Sequence, residues 1–165
     1  MIGPTMQQAL NRHVQAELSS SHLYLAMAAA CEGTPYRGFA RWLRVQAEEE
    51  RAHALKCLDF LLARGGAAQL GAVDAPPAAF GTITEVFEKV LAHERVVTGL
   101  VHQLHATAVA EKDPAAQVFI QWFVSEQVEE EARAQEIVEK LRLVGDRPGA
   151  ALYLDKEYGK RARPA

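Results

Sequence analysis

Glu50 and His53 stand three residues apart, a spacing that puts a carboxylate and an imidazole on one helix face, where both can reach metal. Other polar residues fall into register with them. Glu17 and Glu50 are 33 residues apart, as are Glu94 and Gln127, and moving the trio 17, 50, 53 by 77 positions lands on 94, 127, 130. Each of these residues interrupts an otherwise apolar stripe. Burying one ionised carboxylate is costly even after relaxation, and several sharing a site cost more. No Lys or Arg lies on the four stripes, so the expected counter-charge is a pair of divalent cations. Carboxylates with one imidazole suit iron, manganese or zinc. Glu17, Glu50 and His53 are expected to hold one metal, and Glu50, Glu94 and Glu130 the second. Gln127 stands where a symmetric site would carry a second bridging Glu. A neutral amide there implies weaker or more exchangeable binding at the second position.

Tyr24 lies seven residues after Glu17 on the same stripe, within reach of the site. It serves either as a hydrogen-bond donor or electron source, or as an ordinary core tyrosine. Glu49, Glu126 and Glu129 form a further acidic cluster, with 126, 129 and 130 on one helix face. On spacing alone, a third cation site and a solvated acidic face explain it equally. His102 and His105 have no carboxylate on their stripe and read as surface residues.

Four long helices, about 6–32, 35–64, 83–111 and 114–144, must position these residues, with a short fifth one at about 148–158. The stripes recur in steps of three and four: Leu10, Val14, Glu17, Ser21, Tyr24; then Phe39, Leu43, Gln46, Glu50, His53. Phe87, Val90, Glu94, Val97 and Ile120, Phe123, Gln127, Glu130 continue the pattern. Thr5 to Gln8 reads as a capping box opening the first helix, and Gly33 closes it. Thr34-Pro35 opens the second, Gly65-Gly66 ends it, Thr82 and Glu85 form another capping box, and Asp113-Pro114 and Gly145 bound the fourth. Folding the first pair about residue 34 brings Glu17 level with position 51, and folding the second about residue 112 brings Glu94 level with 130. The link from Gly65 to Gly81 reaches about 50 Å when extended, enough to traverse a bundle of about 45 Å. The expected architecture is therefore all-α: a four-helix bundle with one long crossover and a short fifth C-terminal helix, in a single domain over 1–165.

Composition narrows the function classes. A net charge of −3 leaves no basic stripe to meet phosphates, so nucleic acid is not an expected partner. The basic tail Lys160, Arg161, Arg163 reads as a solvated end. No apolar run is long enough to span a membrane, and Met1 to His13 has no signal-peptide pattern, so a cytoplasmic protein is expected. Cys31 and Cys57 would lie roughly 30 Å apart along a hairpin, too far for a disulfide, and are expected to be buried thiols.

From the Glu17-Leu18-Ser-Ser segment to Leu152-Tyr153-Leu154-Asp155-Lys156-Glu157 the chain resembles the bacterial non-haem ferritins, most specifically over Gln121-Trp-Phe-Val-Ser-Glu-Gln-Val-Glu-Glu-Glu131. The resemblance implies a ferritin-like fold and an iron-storage ferroxidase that takes Fe(II) and O2 or H2O2 as substrates. It also implies Fe(III) oxyhydroxide stored in a hollow homo-oligomeric shell of 24 subunits. By that likeness Glu17, Glu50 and His53 match the first ferroxidase metal site. Glu94 and Glu130, with Glu50 bridging, match the second, and Gln127 matches a glutamine beside the ligands. Glu49, Glu126 and Glu129 match a third iron site, and Tyr24 the tyrosine next to the centre. No haem is expected, because Arg51 and Ala52 follow Glu50 where haem-binding relatives carry Met. The competing readings are an oxygenase acting on an organic substrate and a non-catalytic helical scaffold or metal buffer.

Overall fold

The computed structural model describes residues 1–145 and 147–162. Five helices follow in order: α1 (Pro4–Glu32), α2 (Arg37–Ala63), α3 (Ile83–Ala110), α4 (Pro114–Val144) and α5 (Pro148–Tyr158). α1 packs along α2 and α3 along α4 as two hairpins, while α1 and α3 meet across the seam between them.

The ends of the elements fix their directions. Ile2 N–H donates to the Arg64 carbonyl (3.0 Å), and the Arg64 guanidinium holds both Asp113 oxygens (3.1 and 3.0 Å). The start of α1, the end of α2 and the start of α4 therefore share one end of the bundle. Phe80 is buried at the opposite end, in the cluster that includes Cys31 and Phe39. The segment between α2 and α3 thus runs the full length of the bundle, which makes α2 parallel to α3 and α1 parallel to α4. It is tied to α1 by three amide side chains at successive turns. Gln7 Oε1 accepts from Ala67 N–H (2.9 Å) and Asn11 Oδ1 from Gln69 N–H (2.7 Å). Gln15 Oε1 accepts from Gly71 N–H (2.9 Å) while its Nε2 donates to the Ala72 carbonyl (2.8 Å). Residues 7, 11 and 15 lie on one α1 face, so this non-helical segment has backbone partners without forming a strand.

Two helix starts differ from expectation. α1 begins on Gly3 and Pro4 with no side-chain cap, so Thr5 to Gln8 lies inside the helix and forms no capping box. α2 begins at Arg37, not at Thr34-Pro35, and Tyr36 supplies no side-chain cap. Its free N–H groups are met from far along the chain instead. Asp155 of α5 accepts from Gly38 N–H (3.0 Å) and Phe39 N–H (2.7 Å), acting as the missing N-terminal acceptor and placing a carboxylate at the positive end of the helix. The close approach requires glycine: a Cβ on Gly38 would sit 2.0 Å from the Asp155 carbonyl oxygen. The remaining boundaries match the sequence reading. Thr82 and Glu85 form a reciprocal capping box, Asp113 caps α4 through Ala116 N–H (3.0 Å), and Gly145 ends it with φ of 52°.

The core is two apolar clusters, not one. Met6, Leu10, Cys57, Leu61, Val101 and Ile120 pack at one end; Tyr24, Phe39, Leu43, Phe87, Ile137 and Leu141 pack at the other. Both cysteines are buried free thiols. Between the clusters lies a layer of polar side chains.

Candidate metal centre

All four helices send polar groups into that middle layer: Glu17 from α1, Glu50 and His53 from α2, Glu94 from α3, Gln127 and Glu130 from α4. The four carboxylates are nearly inaccessible, at 1, 2, 1 and 2% exposure for Glu17, Glu50, Glu94 and Glu130, and His53 and Gln127 are also buried. Helical spacing within each stripe does the positioning, because residues three or four apart reappear on the inward face.

One oxygen each from Glu17 and Glu50 and one ring nitrogen of His53 lie within 4.8 Å of one another, compatible with a single metal ion. Glu17 Oε2 is buried with no hydrogen-bond partner among the described residues. A buried carboxylate oxygen left unpaired is costly, and a cation at this point would satisfy it. His53 Nδ1 is 3.4 Å from Glu50 Oε2. Across the layer, the Tyr24 hydroxyl hydrogen-bonds Glu94 Oε1, and Gln127 Nε2 reaches the Glu94 backbone carbonyl and Oε2, each at 3.2 Å. Gln127 thus turns its N–H2 toward Glu94, leaving this position short of the anionic oxygen a second Glu would supply.

No Lys or Arg stands on the four stripes, as expected, but one basic side chain reaches the layer from beside them. Arg133 lies off the α4 stripe, but its long side chain reaches back one turn: Nη1 donates to Glu130 Oε1 (2.8 Å) and Nη2 to Glu129 Oε2 (2.9 Å). His13, one turn before Glu17, brings Nε2 to 2.9 Å from Glu17 Oε1 without hydrogen-bond alignment. Gln46, one turn before Glu50, donates through Nε2 to Glu50 Oε1 (2.8 Å) and Glu130 Oε2 (2.9 Å). Arg161 is no solvated end. It donates to Gln46 Oε1 (2.7 Å) and to Glu49, with its guanidinium over the Trp42 ring. Arg163, expected in the same tail, lies outside the described residues.

His13 and Gln46 carried a legible signal, each being four residues before a site carboxylate on its own helix. Arg161 carried none, since its place depends on how α5 docks. The three residues of the outer acidic cluster diverge: Glu49 and Glu126 are half-buried and Glu129 is exposed. Glu49, Glu126 and His53 line one groove of about 540 Å³ with Lys56, Asp59 and Trp122, an opening from the surface toward the layer. His102 is exposed and His105 half-buried, away from the layer.

Burial and mutual repulsion set the protonation of the layer. Burial, then the neighbouring Glu17 and Glu94 charges, pushes the Glu50 carboxyl well above its ordinary range. Burial likewise raises Glu94 to about 7, although Tyr24 and Gln127 stabilise its ionised form. Burial opposes ionisation of Glu17 too, but His13, Glu50 and His53 together outweigh it and the carboxyl ends below its ordinary value. The Tyr24 hydroxyl is driven well above its usual value by burial and by the Glu94 charge, so it stays a proton donor. Without a cation, the layer therefore retains protons that a bound metal would displace.

Comparison with known proteins agrees with the fold. A family profile described as a ferritin-like domain matches residues 7–144. The bacterial non-heme ferritin of Bacteroides fragilis (strain 638R) is 44% identical over 161 residues, covering 98% of this chain and all of that relative. That of Staphylococcus aureus (strain MRSA252) is 38% identical over 161 residues, covering 98% of this chain and 97% of the relative. Among solved structures, an Archaeoglobus fulgidus ferritin engineered into a closed form superposes with a TM-score of 0.97 at 46% identity, over 99% of this chain and 100% of that one. An open-pore ferritin from the same archaeon gives 0.96 at 47% identity, over 98 and 99%.

Proposed function

The chain belongs to the ferritin family of iron-storage proteins, and we propose that it is itself a ferroxidase: it binds Fe(II) pairwise in the middle layer, oxidises it there, and passes Fe(III) to a store inside a 24-subunit shell. The observation that carries this reading is the convergence of four buried carboxylates and His53 at one level, one oxygen of Glu17 having no hydrogen-bond partner among the described residues. In this reading Glu17, Glu50 and His53 take the first Fe(II), and Glu50, Glu94 and Glu130 the second, with Gln127 beside it. Glu49, Glu126 and Glu129 take a third, more exposed iron, and the Glu49–Glu126 groove is its route. The donors fit such a substrate, since hard oxygens with one imidazole suit iron in both oxidation states.

The electron count sets the stoichiometry. Two Fe(II) give one electron each, and the pair reduces either H2O2 with two protons to two waters, or O2 with two protons to H2O2. Holding two irons side by side lets both electrons leave together. Tyr24, hydrogen-bonded to Glu94, orients that carboxylate and is a candidate electron source. Iron is substrate and cargo; haem has no assigned role. A cytoplasmic setting suits two buried thiols kept reduced.

Aerobic addition of excess Fe(II), followed by size-exclusion chromatography, tests the reading. The expected result is iron far beyond the ligand sites, co-migrating with a very large particle. Stoichiometric iron on a small oligomer would overturn it.

A further inference from the structure

α2 presents Gly38, Trp42, Gln46 and Glu50 at intervals of four, a single ridge running from its N-terminus to the metal centre. The chain after α5 lies along this ridge. Asp155 anchors α5 on Gly38 and Phe39, and a Cβ on Gly159 would stand 2.7 Å from the Gly38 Cα, so a glycine pair lets the turn pass. Two residues later the Arg161 guanidinium stacks over Trp42, with its carbon 4.5 Å from the ring centroid, and donates to Gln46 Oε1 at 2.7 Å and to Glu49. Gln46 then spends both amide hydrogens inside the site, one on Glu50 Oε1 and one on Glu130 Oε2.

An amide side chain has two faces of opposite polarity, and reversing it would aim a carbonyl oxygen at two carboxylates. Arg161 excludes that reversal, because a guanidinium has only donors and can pair with Gln46 only through Oε1. We propose that Arg161 is a positioning residue for the metal centre: by locking the Gln46 amide it holds Glu50 of α2 and Glu130 of α4 at a fixed separation, making the turn after α5 part of the site. Each carboxylate oxygen keeps a lone pair beyond the one Gln46 uses, so the clamp leaves metal-binding capacity intact. Arg133 grips the other Glu130 oxygen from the opposite side, and Glu130 is held between two donors.

The inference rests on the reading that these carboxylates bind metal, and the test separates the two. The probe is Co(II), added without oxygen to the assembled full-length protein and followed by its visible absorption and by calorimetry. Wild type is expected to bind two equivalents in the layer. In Arg161→Ala the second equivalent, which needs Glu130, should bind about tenfold more weakly, the size of one charge-assisted hydrogen bond, and its absorption band should change shape. Gln46→Leu should do the same, and the double variant should be no worse than either alone, because both act through one amide. Arg161 is in a terminal turn whose helix is held by Asp155, so circular dichroism is expected to stay unchanged. An Arg161→Ala titration and band identical to wild type would overturn the proposal, as would additive losses in the double variant. Failure of wild type to bind Co(II) would remove the metal-binding premise itself, and the inference with it.

Discussion

Glu50 is the only carboxylate in the layer that both proposed metal positions share, so its loss has no local substitute. Glu50→Ala should lower the rate of Fe(II) oxidation by about a hundredfold, measured by stopped-flow absorbance of Fe(III), while leaving the helical content unchanged. Glu129 belongs only to the outer cluster, and Glu129→Ala should preserve the first fast phase and alter later turnover. Protonation gives a second test. Glu94 is raised from 4.5 to about 7, so the metal-free fold binds more protons than the unfolded chain between those values. Its contribution to stability is complete below about pH 4.5 and is lost as pH rises through about 7, at most about 3 kcal/mol. Anaerobic Zn(II) added at pH 6 should therefore release more protons than at pH 8.5, read by a pH indicator; equal release would contradict the raised carboxyls. The acidic and imidazole members of this layer were legible because a charged residue on an apolar stripe stands out. Arg133 was not, because its charge lies a side chain's length from its backbone position.

At the scale of the element, α2 is one of two helices whose starts were misjudged, and the reason is physical. Thr34-Pro35 has the chemistry of a helix opening, yet the acceptor for the α2 N-terminus comes from Asp155, 117 residues from Gly38. No local window contains that information, whereas Thr82 with Glu85 and Asp113 with Ala116 are local and were readable. Asp155→Ala should cost about 1–2 kcal/mol, seen as a lower thermal midpoint. Gly38→Ala should be worse, because its methyl would occupy the space of the Asp155 backbone. The crossover was predicted by length, but its attachment through Gln7, Asn11 and Gln15 was not, since those amides look like ordinary surface residues in the sequence.

The whole molecule divides its apolar core into two halves on either side of the polar layer, with one buried cysteine in each. Burial raises the Cys31 thiol to about 11 and the Cys57 thiol further still. Neither should react with a water-soluble disulfide reagent at pH 8 until denaturant is added, a check by absorbance at fixed time. The hairpins contribute unequally to the layer. The first, α1 with α2, carries Glu17, Glu50 and His53, the complete one-metal cluster; the second, α3 with α4, adds Glu94 and Glu130. In the proposed function, a nascent chain with only its first hairpin folded would offer a place for a single iron and no neighbour for it. The proposed two-electron reduction of an oxidant would then wait until the second hairpin has docked. On the proposed reading, the division of ligands between hairpins would work as an interlock, withholding redox competence from a subunit that is not yet whole.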